Sequence, residues 1–208
     1  MRLAMLGDSI AFGQGAARKQ DSLGPRLVRE LGGAGVDCEL QVFAVPGARS
    51  AGLAPQVERA LGWQPHVAVL VIGANDLTHF VPVAKAVSAF AEAVRRLRAA
   101  AVEVVVAPAP DLSAVPHVPE QLRALVQRGS TLLRDQQVAV AVEAGARVAD
   151  RDGATARAFA ADHQLFCADL FHPSSAGYAV IAAALLPEVL AAARSAHGST
   201  SIRSAADD

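Results

Sequence analysis

The stretch from His66 to Ile72 reads HVAVLVI, and its last six residues are all apolar, leaving no polar side for water. A strand turns successive side chains to opposite faces, so a run like this must be covered on both. A parallel sheet meets that demand, because the helices that cross from strand to strand lie on its two faces. Strand character recurs at Arg2–Leu6, Cys38–Val45, Val102–Ala107 and, more weakly, Ala146–Ala149. Helical patterns fall between these runs: LGPRLVRELGGAG, GLAPQVERALG, VAKAVSAFAEAVRRLRAA and a long piece from Pro119 to about Ala144. Leu27 and Leu31, then Val87, Phe90, Val94 and Leu97, recur at the threes and fours that give a helix one buried face. A final helix begins near HPSSAGYAVIAAALLPEVLAAA, where Ser174 or Ser175 can cap its first turn. The alternation predicts a doubly wound α/β domain over residues 1–195. The polar tail, 196–208, has no apolar periodicity and is expected to be disordered.

Composition excludes some functions. A formal net charge of -1 over 208 residues does not suit a protein whose main partner is a nucleic-acid backbone or an anionic membrane. The apolar stretch before Gly7 is too short for a signal peptide, and no uninterrupted apolar run reaches the ~18 residues of a spanning helix. Cys38 and Cys167 have no metal-like spacing and read as reduced thiols of a cytoplasmic protein. None of the six histidines shows a metal-binding pattern.

Sites in doubly wound sheets lie beyond the carboxyl ends of the strands. Here those ends are Gly7-Asp8-Ser9, Pro46-Gly47, Gly73-Ala74-Asn75-Asp76 and Pro108 onward. Ser9 is a nucleophile only if a base takes its proton, and a base is best supplied by a histidine that a carboxylate holds in one tautomer. ADLFHPSSAG contains both, Asp169 and His172, just ahead of the last helix. The Ser9 N–H, the Gly47 N–H and the Asn75 amide are neutral donors suited to a developing oxyanion. The rival reading of Ser9 is a helix cap. A phosphate loop does not fit, since GDSIAFGQGA matches neither glycine-rich pattern. The α/β-hydrolase motif GxSxG is also absent.

GDSI with Ser9, AVPGARS with Gly47, GAND with Asn75, and DLFHP with Asp169 and His172 follow one another in the order of the SGNH, or GDSL, hydrolases, which the chain resembles over residues 7–172. The resemblance implies a three-layer flavodoxin-like α/β/α sandwich with a five-stranded parallel sheet. It implies Ser9 as nucleophile, His172 as base, Asp169 as its orienting partner, and Ser9, Gly47 and Asn75 as oxyanion donors. It further implies hydrolysis of carboxylic esters or thioesters of small acyl molecules, with no metal or cofactor. An acyltransferase would use the same triad, and a non-catalytic flavodoxin-like binding domain is the reading from another class.

The chain departs from the pattern in lacking the asparagine that many members carry before the second-block glycine. Phe171 also stands where a small or aliphatic residue is common, and it either walls the acyl pocket or packs inward. Asp8 is expected to cap or bond its loop, and Asp76 to fix its own. The segments NDLTHFVPV and PAPDLSAVPHVP are expected to wall the pocket with Leu77, Phe80, Val81, Leu112, Val115 and Val118, and to place His79 and His117 at its rim. Few charges in these loops favour an apolar acyl group in an open, shallow cleft. Oligomeric state is not legible.

Overall fold

The computed structural model describes residues 1–204, with side chains as far as His197. Five parallel strands lie in the order β2-β1-β3-β4-β5: β1 (Arg2–Gly7), β2 (Glu39–Val42), β3 (Val67–Val71), β4 (Glu103–Ala107) and β5 (Arg147–Val148). Eight α-helices accompany them among the described residues: α1 (Ser9–Phe12), α2 (Leu23–Gly33), α3 (Leu53–Trp63), α4 (Ala74–Thr78), α5 (Val83–Ala99), α6 (Glu120–Glu143), α7 (Ala154–Ala161) and α8 (Ser175–Ser204).

Strand β3 shows why the layers form. Its register pairs Val67 with both Leu3 and Glu103, placing it at the centre of the sheet. Val67, Val69 and Val71 pack with Leu27, Leu31, Leu185 and Val189, on the side of α2 and α8. Ala68, Leu70 and Ile72 pack with Val57, Phe90, Val94 and Leu97, on the side of α3 and α5. One apolar run therefore serves two cores, and each fully buried Val or Leu contributes about 1.5–3 kcal/mol.

Some elements differ from the expectation. Only Glu39–Val42 of the second run pairs as a strand, because the Phe43 and Ala44 amides both donate to the Met5 carbonyl and break the ladder there. Helix α7 was not foreseen; Phe159 is its one buried residue, too little for a readable apolar face. Ser174 caps α8, its Oγ accepting from the Gly177 amide at 3.2 Å.

Helix α8 bears on two expectations. Its Ser175–His197 segment, 23 residues with a mean hydropathy of 1.8, is long and apolar enough to cross a membrane, although Glu188 interrupts the run. In this fold it is a core helix, with Tyr178, Leu185, Val189, Ala192 and Ala193 fully buried. The helix continues to Ser204, into the tail expected to be disordered; no proline follows Pro187, and Ala192, Ala193 and Ala196 keep its packed face going. Residues 205–208 lie outside the described residues.

After β1 the chain passes first to one side of that strand, to β2, and then to the other, to β3. The crevice between the carboxyl ends of β1 and β3 is therefore the topological switch point. Gly7 shapes it. Its φ is +136°, and a β-carbon there would lie 1.8 Å from the Val71 carbonyl oxygen, so only glycine lets β1 turn out of the sheet.

Candidate active site

Ser9 begins α1 immediately beyond that turn. Asp8, not Ser9, is the helix cap, its Oδ1 accepting from the Ile10 amide at 2.9 Å. The Ser9 hydroxyl is thus left to face the cleft. Asp8 is almost wholly buried, and its Oδ2 has no hydrogen-bond partner among the described residues. Burial pushes its carboxyl up to about 7; the Ile10 amide opposes this and the charge of Asp76 adds to it. Gln56 clamps the turn from beneath, accepting from the Gly7 amide at 2.7 Å and donating to the Gly7 carbonyl at 2.9 Å.

The segment after α7 approaches the same point from the other side. His172 Nε2 lies 3.0 Å from Ser9 Oγ, and His172 Nδ1 lies 2.6 Å from Asp169 Oδ2. Asp169 Oδ1 accepts from the Phe171 and His172 amides, each at 2.8 Å, and from the Cys167 thiol at 3.2 Å. Desolvation acts to raise the Asp169 pKa, but the bonds from His172 and the neighbouring amides outweigh it and hold the carboxyl well below the usual carboxylate range. The Phe171 ring stands edge-on to the His172 ring, with centroids 5.1 Å apart.

Gly47 occupies an exposed turn with φ +78°. Asn75, in the first turn of α4, donates through Nδ2 to the Ala48 carbonyl at 3.1 Å, tying the two loops together. Asp76 strengthens that tie. Its carboxylate receives the Ser50 amide at 2.9 Å and the Ser50 hydroxyl at 2.9 Å, so it fixes the Gly47 loop and not its own as expected.

A largely apolar cavity of about 90 Å³ is lined by Phe171 and by chain neighbours of these groups, with Asp111, Arg134, Asp150 and Thr155 also in its wall. Ile10, Phe171 and Pro173, neighbours of Ser9 and His172, form one part of its wall, and Phe159 and Phe166 another. Leu112 and Val115 line it as expected; Leu77, Val81 and Val118 do not, being packed into neighbouring apolar clusters instead. Phe80 projects into solvent, 91% exposed. Phe171 both walls the cavity and packs on the imidazole.

Residues 5–180 match the GDSL-like lipase/acylhydrolase family. The chain belongs to this family. It is 36% identical over 186 residues to a GDSL-like esterase of Mycobacterium tuberculosis, covering 88% of this chain. The chain spans only 59% of that relative's length. Among solved structures, TesA superposes with a TM-score of 0.75 at 19% identity, covering 91% of this chain and 98% of TesA. An acetylxylan esterase from Geobacillus stearothermophilus gives a TM-score of 0.70 at 18% identity, over 90% of this chain and 93% of the esterase. At such identities the likeness concerns the fold.

Two residues of this GDSL-family chain, Gly15 and Tyr178, escaped the sequence reading, as did the bonds that His117 and His79 make. Gly15 (φ +93°) lets the loop after α1 press on the histidine; a β-carbon there would lie 2.9 Å from His172 Cβ and 2.6 Å from the Pro173 carbonyl oxygen. Tyr178, fully buried, anchors the same loop by donating to the Gln14 carbonyl at 2.7 Å. His117 Nε2 donates to the Asp169 carbonyl at 2.9 Å, joining the loop after β4 to the Asp169–His172 turn. His79 bonds within its own helix, to the Asn75 carbonyl at 2.9 Å. Nothing local in the sequence marks these partners, which meet only through the fold.

Proposed function

We propose that the chain hydrolyses carboxylic esters through an acyl-enzyme on Ser9. The observation that carries this reading is the continuous hydrogen-bonded line Asp169–His172–Ser9 at the switch point. Asp169 accepts the Nδ1 proton of His172, which leaves the Nε2 lone pair for the serine hydroxyl. As Ser9 Oγ attacks the ester carbonyl, Nε2 takes its proton. The amides of Ser9 and Gly47 and the Asn75 side chain receive the oxyanion. Collapse of the tetrahedral intermediate breaks the C–O bond, and the imidazolium returns the proton to the departing alcohol. Water then attacks the acyl-enzyme with the same histidine as base, releasing the acid and restoring Ser9.

The cavity against Ile10 and Phe171 receives the acyl group. Its size favours short acyl chains, so turnover should fall from acetate and butyrate to octanoate and longer esters. Catalytic mutants of the acetylxylan esterase replace a serine and a histidine, in keeping with these roles. The reading is tested by hydrolysis of p-nitrophenyl esters by the parent and by Ser9→Ala. Activity lost in the variant supports it; equal rates above the uncatalysed background overturn it.

A further inference from the structure

Among the described residues nine large apolar side chains are exposed, and four of them, Phe12 at the end of α1 and Val45, Phe80 and Leu170 in loops, sit on the segments that carry the candidate site. They lie within five residues of Ser9, Gly47, Asn75 and His172 respectively. Two more, Leu122 and Leu125, occupy the opening turns of α6, just beyond the loop that His117 ties to Asp169. Single exposed apolar residues need no explanation, but a set gathered on the loops of one cleft marks an interaction surface.

Phe80 carries the argument furthest. It is 91% exposed and its backbone is left-handed, with φ +52°. The Val81 amide donates to the Asp76 carbonyl at 2.9 Å and the Phe80 amide to the Leu77 carbonyl at 3.1 Å. That pair of bonds ends a helix through a left-handed residue, a position glycine ordinarily fills. Phenylalanine here strains the backbone and buries nothing, so it does less for the fold than glycine would. Leu170, at φ +54°, repeats the pattern beside His172. Strained residues of this kind, kept at a site, point to a role beyond folding.

Charge indicates the partner. Beside Gly47 lies an open hollow of about 390 Å³ lined by Arg49 and Arg59 and by no acidic side chain. Neither arginine forms an ion pair among the described residues, although Arg59 Nη2 donates to the Phe43 carbonyl at 3.0 Å. The net charge of -1 gives the whole chain no attraction to an anionic membrane, so the contact must be local: we propose that this end of the molecule docks on a lipid–water interface bearing anionic head groups. The apolar rim enters the boundary of the acyl chains, and Arg49 and Arg59 meet the head-group phosphates. The inference rests on the esterase reading only for what the surface delivers to Ser9; docking itself needs no turnover.

The test is co-sedimentation of the full chain with vesicles of phosphatidylglycerol and phosphatidylcholine, and with phosphatidylcholine alone. The chain should bind the anionic vesicles more tightly, and less so as salt rises. Phe80→Gly should lower the partition roughly ten-fold, raise the thermal midpoint, and leave turnover of soluble p-nitrophenyl acetate unchanged. Arg49→Gln should reduce only the preference for the anionic vesicles. Absence of binding to either vesicle, or parental binding by Phe80→Gly, overturns the proposal. So does a dimer that Phe80→Gly dissociates, which would assign the rim to a second copy of the chain. Vesicle binding without ester hydrolysis would leave docking in place and remove the esterase reading.

Discussion

The two halves of the site are held by different means. Ser9 stands at the end of a central strand, where Gly7 passes against Val71 and Gln56 brackets the turn, and Asp8, Gln56 and Val71 are all buried. Asp169 and His172 follow no strand; an exposed turn places them through bonds from Cys167 and from its own amides. Ser9 is positioned by the sheet, and His172 by a local network. Damage to the first half should therefore appear as lost stability, and damage to the second as lost rate.

Asp169→Asn should have the largest effect, roughly 10⁴-fold in kcat, because an amide no longer selects the tautomer that leaves Nε2 free. Its thermal midpoint should stay close to that of the parent, and kinetics alongside melting curves would check both. The Asp8 carboxyl comes next. Its pKa is about 7 in the folded chain against 3.8 in the unfolded chain, so the folded state holds the proton more tightly. The resulting stability is fully present below about pH 4 and is lost as pH rises to about 7, at most roughly 4 kcal/mol. Asp8→Asn cannot ionise, so it should gain on the parent between melts at pH 5 and pH 8. Gln56→Leu leaves the Gly7 amide without its side-chain partner and the Gly7 carbonyl with only the Val45 amide, and should cost about 1–3 kcal/mol in denaturant unfolding, with turnover per folded molecule little changed. The smallest effect belongs to Cys167, one weak donor among three on Asp169 Oδ1. Cys167→Ala should lower kcat about three-fold and Cys167→Ser should restore it.

The same contrast explains what the sequence made legible. The central strands could be read because burial on both faces makes runs such as VAVLVI continuous. Ser9, Gly47, Asn75, Asp169 and His172 stand out in the sequence as candidates because each lies in a short block at a strand end or before the last helix. What ties the blocks together could not be read. Asp76 reaches Ser50, Gln56 reaches Gly7, and Tyr178 reaches Gln14, all across long sequence separations. Phe80 was expected in the pocket wall because it is apolar and near Asn75; the left-handed end of α4 turns it outward instead. Helix α7 went unread because its short alanine-rich run buries a single phenylalanine.

The most direct test of the central claim, that His172 activates Ser9, is labelling with a fluorophosphonate followed by mass spectrometry of the intact chain and of its peptides. The parent should take up one phosphonate, on Ser9, with Ser9→Ala unlabelled and His172→Ala labelled far more slowly. Labelling of the parent elsewhere than Ser9, or at an undiminished rate in His172→Ala, would contradict the account.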